Sequence, residues 1–145
     1  MTQMGPIGGL PLLRAARMTR RCRPATGGVL ARTLVLGTWV MVWNYHDNDT
    51  VALASPVEVR VTGIPAKKVL LKHYRIDSEH SNSYEVWKKM GSPQQPTPAQ
   101  VAVLEKAGQL AMLHDPKQIA VNKGEVIIKM DLPRQGVSLI VVNWK

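Results

Sequence analysis

Short runs of alternating apolar and polar residues most constrain what this chain can fold into. In Pro56–Gly63 (PVEVRVTG) three valines alternate with charged or polar residues, and Lys68–Ile76 (KVLLKHYRI) alternates with the same period. Successive side chains of a strand point to opposite faces of a sheet. This spacing therefore predicts two strands, each with one face buried.

A second kind of run is apolar at nearly every position. Thr33–Tyr45 (TLVLGTWVMVWNY) is dense in β-branched and aromatic side chains, which is typical of a buried central strand. Further strands are predicted at Gln118–Val121, Glu125–Leu132 and Val137–Trp144. Asn, Gly and Pro between these segments supply the turns.

Two short helices are predicted between the third and fourth strands. Ser83–Met90 has room for two helical turns, and residues 97–100 (TPAQ) form a helix start with a Thr cap, Pro at the first position and Gln three residues after the cap. We expect this second helix to run to about Leu110. About six strands with short connections predict a mainly β fold, an antiparallel β-sandwich with a two-helix insertion at about 83–110.

The N-terminal part has a different composition. The net charge is +9, and residues 1–46 hold six Arg, no Lys and no acid. We predict an irregular Arg-rich segment at 1–32, disordered or non-native, followed by the sandwich domain at 33–145. A basic arm that binds nucleic acid through Arg14–Arg32 is the alternative to a solvated tail; we favour the tail and expect no nucleic-acid partner.

The acidic residues offer two pairs for catalysis, Asp47 with Asp49 and Asp77 with Glu79. Both pairs lie in turn-like segments, where Asp side chains commonly accept hydrogen bonds from nearby backbone N–H groups. No neighbouring feature of the sequence would raise the pKa of one partner while leaving the other ionised. We therefore predict no catalytic residue.

No cofactor or metal is predicted either. His73, Glu79 and His80 do not have the spacing of a zinc site, and Cys22 is the only cysteine. The sequence has no phosphate-binding glycine loop and no serine-hydrolase elbow. Val29–Val42 is too short to span a membrane, which takes roughly 20 apolar residues, and the start is a poor secretory signal. We expect no membrane association and a cytoplasmic location.

The tryptophans allow two interpretations. Trp43 and Trp144 lie inside apolar strand runs, which favours core packing. Trp87 lies on a short helix and is expected to anchor that helix to the sheet or to a neighbouring domain. The alternative is an independent carbohydrate-binding module, in which exposed, coplanar rings would stack on sugars.

Four stretches of the sequence resemble the C-terminal region of glycoside hydrolase family 39, the β-xylosidase and α-L-iduronidase family. They cover about 100 residues in the family's order and look most similar to bacterial β-xylosidases. They are VMVWNYHDND at Val40–Asp49, HYRIDSEHSNSYEVWKKMGSPQQPTPAQ at His73–Gln100, LEKAGQL at Leu104–Leu110 and DLPRQGVSLI at Asp131–Ile140.

The resemblance implies a retaining glycosidase with a (β/α)₈ barrel and an appended β-sandwich. Its two catalytic Glu residues belong to the barrel, and no position of this chain matches them. We therefore expect an accessory β-sandwich that supports the barrel of a β-xylosidase-like parent and is inactive alone, the parent acting on a xylo-oligosaccharide or related glycoside. Such a chain should expose an apolar patch where the barrel belongs.

Four side chains are the candidates for facing the barrel or contacting carbohydrate, namely Tyr45, His80, Tyr84 and Trp87. Residues 1–32 depart from the family, since a member would show the end of its barrel and a linker there. An out-of-frame or misassigned start of a truncated gene product is the hypothesis that explains the Arg-only, acid-free composition.

Overall fold

The computed structural model describes residues 26–34, 36–47 and 53–144. These residues form seven strands and two helices, and every strand pairing is antiparallel. The predicted mainly β fold with a two-helix insertion is confirmed. In chain order the elements are β1 (Thr26–Leu34), β2 (Gly37–Tyr45), β3 (Ser55–Thr62), β4 (Lys68–Ile76), α1 (Ser83–Lys89), α2 (Pro98–Ala107), β5 (Ala111–Ala120), β6 (Glu125–Leu132) and β7 (Gly136–Asn143).

The strands form two sheets of unequal size. Five strands make the larger sheet in the order β1-β2-β7-β4-β5, and β3 pairs with β6 in a two-stranded ribbon. The core lies between the inner face of the larger sheet and the inner face of the ribbon. Aliphatic side chains from both layers fill it, among them Val40, Val42, Val57, Val59, Val61, Val69, Leu71, Val126, Ile128, Leu132, Ile140 and Val142.

Asn44 joins the ribbon to the larger sheet at one end of the core. It is 2% exposed, and its Nδ2 donates to the carbonyl oxygens of Leu132 and Pro133, both at 3.2 Å. Buried amides are costly unless they are paired. This side chain therefore fixes the turn between β6 and β7 against the end of β2.

The first strand begins earlier than the sequence indicated. Thr33–Tyr45 was expected to be one strand after an irregular segment, but β1 and β2 are two strands of a hairpin in perfect register, from Thr26 opposite Tyr45 to Leu34 opposite Gly37. The expected boundary at residue 32 therefore falls inside β1. Residues 1–25, with Cys22 and five of the six N-terminal arginines, lie outside the described residues.

Strand β5 is also longer than expected. It begins at Ala111 rather than Gln118, and it pairs with β4 through an irregular register. Asp115 and Pro116 lie within it, and such residues are disfavoured in central strands. They are tolerated here because β5 is an edge strand, where Pro removes no ladder hydrogen bond on the open side.

Both helices of the insertion begin with an N-cap side chain. The Asn82 side chain accepts from the Glu85 N–H at the start of α1, and Thr97 and Gln100 form the predicted capping box of α2. Helix α2 ends at Ala107, three residues before the expected end. Neither helix buries a residue, and among the described residues no helix is long and apolar enough to cross a membrane.

Candidate docking surface

The side of the larger sheet that faces away from the ribbon, called the outer face below, is apolar. Alternation along β2 turns Val40 and Val42 into the core and leaves Trp39, Met41 and Tyr45 on the outer face. Their exposed fractions are 50%, 37% and 53%. Strand β2 is therefore apolar on both faces, although only one of them is covered.

Strand register extends this apolar character across the whole sheet. Met41 lies opposite Leu30 on one side and Leu139 on the other, and Leu139 continues through Tyr74 to Met112. One row of large side chains therefore crosses all five strands. Soluble proteins rarely expose a contiguous apolar surface of this kind unless it serves an interaction.

The neighbouring row contains a shallow pocket. Trp43 lies half-buried across Gly28 of β1, where a side chain would overlap its indole ring. A cavity of about 440 Å³ opens beside it, lined by Met41, Trp43, Tyr45, Gln135, Gly136 and Val137. The Gln135 side chain exchanges hydrogen bonds with both backbone groups of His46, which fixes this wall of the pocket.

The outer side of the ribbon has the opposite character. Arg60 forms ion pairs with Glu58 at 3.1 Å and with Glu125 at 3.0 Å, and Lys129 approaches Glu58 to 3.7 Å. These charges are the solvated surface expected of a half-buried ribbon. The two exposed faces of the sandwich therefore differ: the outer face of the larger sheet is apolar, and the outer side of the ribbon carries paired charges.

The predicted residues Tyr84 and Trp87 meet on α1. Their rings stack with centroids 5.7 Å apart and planes at 25°, and the Lys88 ammonium lies 4.9 Å from the Tyr84 centroid. The Trp87 indole N–H donates to the Pro93 carbonyl oxygen at 3.0 Å. Trp87 thus anchors the loop between the helices to α1, and Tyr84 stays 60% exposed.

The third predicted residue, His80, belongs to a turn after β4. Asp77 Oδ1 accepts from the Glu79 and His80 backbone N–H groups at 2.8 and 2.9 Å and contacts His80 Nδ1 at 2.9 Å. Burial alone would raise the pKa of Asp77, but these hydrogen bonds outweigh it and the pKa lies below its usual value. The Asp77 carboxylate therefore holds the turn together, and its contact with Glu79 is to the backbone N–H rather than to the carboxylate.

His73 is a buried structural histidine. Its Nε2 lies 3.0 Å from Ser138 Oγ, and it is 3% exposed. Burial, the charge of Arg75 and the neighbouring His114 lower its pKa from 6.5 to about 4. Because Ser138 is fully buried, this serine–histidine pair has no access to a substrate. Within the described part of the chain, no cluster of three metal-binding side chains forms.

The predicted site residues lie only in part on the outer face. Tyr45 lies on the outer face, whereas His80, Tyr84 and Trp87 lie in the β4–α1 turn and on α1. Trp144 is 8% exposed and packs in the core as predicted, while Trp43 is half-buried on the outer face. The exposed row of Leu30, Met41 and Met112 was missed. Its signal was the apolar character of both faces of Thr33–Tyr45.

Solved structures of family 39 glycosidases share this fold. A glycoside hydrolase family 39 enzyme from Xanthomonas axonopodis pv. citri matches with a TM-score of 0.70 and 18% identity, over 81% of this chain and 26% of its own. A monomeric β-xylosidase from Caulobacter crescentus CB15 matches with a TM-score of 0.70 and 19% identity, over 80% and 26%. A bacterial orthologue of human α-L-iduronidase matches with a TM-score of 0.68 and 23% identity, over 86% and 23%.

These matches confirm the resemblance at the level of the fold. The chain spans about a quarter of the length of each of these enzymes. No family model and no curated protein matches the sequence. The described sandwich therefore has the fold of one region of family 39 glycosidases.

Proposed function

We propose that this chain is the accessory β-sandwich of a retaining glycosidase resembling β-xylosidase, and that its outer face packs against a (β/α)₈ barrel. The observation that supports this is the apolar row from Leu30 to Met112, open on a sheet whose structural counterparts occur in enzymes about three times as long as this chain. The domain contributes shape and stability to the enzyme, and the barrel performs the chemistry.

The two faces of the larger sheet support this assignment. A central strand that is apolar on both sides is stable in water only when both sides are covered. The ribbon covers the inner face of β2 and β7, and a barrel surface covers the outer face. Trp39, Met41 and Tyr45 lie at the centre of that contact, and aromatic and Met side chains are enriched at such positions.

Hydrolysis belongs to the barrel in this proposal. A retaining glycosidase needs two carboxyl groups about 5–5.5 Å apart across the scissile bond. In the described part of the chain, Asp77 holds a turn, and Glu58 and Glu125 of the ribbon form ion pairs. The substrate, a xylo-oligosaccharide or related glycoside, is that of the intact parent. Tyr84 and Trp87 on α1 and His80 in the β4–α1 turn are the side chains that we assign to the barrel or sugar side.

The test is association in trans. The barrel of the Caulobacter β-xylosidase is expressed without its own sandwich domain, its fold is checked by circular dichroism, and binding of this chain is followed by isothermal titration calorimetry. We expect the chain to bind that barrel, not to bind the intact enzyme, and to show no hydrolysis of an aryl β-xyloside by itself. If the barrel is insoluble alone, the amount of soluble barrel is measured with and without co-expression of this chain, and co-expression is expected to raise it.

Matched variants locate the contact. Trp39→Ser with Met41→Ser on the outer face is expected to abolish binding or the gain in soluble barrel, because both side chains would lie at the centre of the interface. Ile127→Ser removes a similarly exposed side chain, 43% exposed, from the ribbon and is expected to change neither. Turnover of the aryl xyloside by the chain alone, or equal behaviour of the two variants, would contradict the proposal.

A further inference from the structure

On strands β1, β2, β7 and β4 the outer face carries positive charge only. Its cations are Arg32 on β1 and Lys68 and Lys72 on β4, since alternation turns their neighbours Val69 and Leu71 into the core. Strands β1, β2, β4 and β7 contain no Asp or Glu at all. The edge strand β5 holds one acid, Asp115, in its irregular stretch.

These three cations have no acidic partner in the described structure. The ion pairs of the described residues involve Arg60, Arg75, His80, Lys88 and Lys129, and none involves Arg32, Lys68 or Lys72. The ribbon, by contrast, balances its charges within itself. Unbalanced charge beside an apolar row is therefore particular to the outer face.

The cations and the apolar side chains occupy different parts of the face. Arg32, Trp39, Val141 and Lys72 form one row, which lies next to the apolar row of Met41 and Leu139. Lys68 lies farther toward the same end of β4. The face is thus apolar and aromatic at the Tyr45 end and basic at the Lys68 end.

A second cavity opens at the basic end. It measures about 740 Å³ and is lined by Ala66, Lys67, Lys68, Val69, Leu70, Gln118, Asn143 and Trp144. The Lys68 ammonium and the Gln118 and Asn143 amides of this lining can donate hydrogen bonds, so this end of the sheet offers donors to an acidic partner.

We infer that the partner surface covering the outer face is apolar where it meets Tyr45 and bears carboxylates where it meets Lys68 and Lys72, so that charge fixes the direction of docking. This inference rests on the proposed function, because it describes the barrel side of that contact. Complementary charge sets orientation and association rate at interfaces whose centre is apolar. A second copy of this chain would bring no carboxylate from its own central strands to these cations.

The test uses charge reversal in the barrel titration. Lys68→Glu with Lys72→Glu is expected to weaken binding of the Caulobacter barrel by about tenfold or more at low salt, since attraction becomes repulsion. Trp39→Ser is expected to weaken binding while leaving its salt dependence unchanged. Lys106→Glu with Lys129→Glu changes the net charge equally on α2 and the ribbon and is expected to leave the affinity within about twofold.

A partner-free arm separates this inference from the proposed function. Tryptophan fluorescence is titrated with decanoate, which is apolar with a carboxylate, and with decyl maltoside, which is apolar and neutral. We expect decanoate to bind more tightly, and the Lys68→Glu, Lys72→Glu variant to lose that preference. If the Lys68→Glu, Lys72→Glu variant binds the barrel with unchanged affinity, the inference is wrong and the proposed function is still supported. If the unmodified chain does not bind the barrel, the proposed function is wrong. If decanoate and decyl maltoside also bind equally tightly, the inference is wrong as well.

Discussion

At the scale of single residues, the sandwich contains a buried group that responds to acid. His73 lies on the inner face of β4 beside Ser138, Arg75 and His114, and its pKa is lowered from 6.5 to about 4. A histidine that stays neutral when folded but takes up a proton when unfolded opposes folding only in acid. The folded state therefore loses stability as pH falls from about 6.5 to about 4, and this contribution is absent above that range.

The expected loss is roughly 3 kcal/mol across that range, because each unit of pKa difference corresponds to about 1.4 kcal/mol. His73→Gln keeps a hydrogen-bonding group near Ser138 and should flatten the pH dependence of the unfolding free energy, measured in urea between pH 7 and 4.5. His114→Gln, on the half-exposed edge strand, should keep most of the slope. An unchanged slope in His73→Gln would show that other groups carry it. Asp77 adds little to this slope, because a carboxylate with a lowered pKa loses its stabilising contribution chiefly as pH falls below its ordinary pKa of 3.8.

At the scale of elements, local rules predicted best where one face is polar. The alternating runs gave β4 with its observed bounds and β3 to within one residue, and the Thr97 cap gave the start of α2. They failed at Thr33–Tyr45, because the two residues between β1 and β2, Val35 and Leu36, are apolar and do not mark a turn. Strand β5 was missed in part because Asp115 and Pro116 normally end a strand, and only pairing along a sheet edge overrides that preference.

The position of the exposed apolar surface on the outer face was also not predicted from the sequence. A strand that is apolar on both sides predicts burial on both sides, and nothing in the sequence says which layer supplies each cover. Tyr45 was among the predicted candidates, whereas Leu30 and Met112 join the apolar row only through their register with Met41 and Tyr74. Strand order is a long-range property, which local patterns do not contain.

One contact between elements can be tested directly. Gly28 lets the Trp43 ring lie across β1, and a methyl group there would overlap the indole. Gly28→Ala should therefore lower the unfolding free energy by about 1–3 kcal/mol, as overpacking does, and should shift tryptophan emission. Trp43→Leu in the same chain should relieve most of that cost. Gly108→Ala is the control, because its methyl would lie 3.5 Å from the nearest atom at the end of α2. Equal melting of both single variants would refute the packing.

At the scale of the whole molecule, an uncovered outer face has a consequence for the chain in isolation. The row from Leu30 to Met112 should bring copies together weakly at high concentration, because burial of apolar surface favours association. Self-association brings like charges together, since each copy contributes Arg32, Lys68 and Lys72 and no carboxylate from strands β1, β2, β4 and β7. Barrel docking, in contrast, brings opposite charges together.

Salt therefore separates the two kinds of contact. The Debye length falls from about 10 Å at 0.1 M to about 3 Å at 1 M, so added NaCl screens both repulsion and attraction between exposed groups. Sedimentation velocity should show self-association strengthening between about 0.05 and 0.5 M NaCl, while the affinity for the barrel falls over the same range. Met41→Ser should abolish self-association at every salt concentration, and Ile127→Ser should not. Self-association that weakens with salt would mean that copies meet through ion pairs elsewhere on the molecule and that the outer face is not the surface involved.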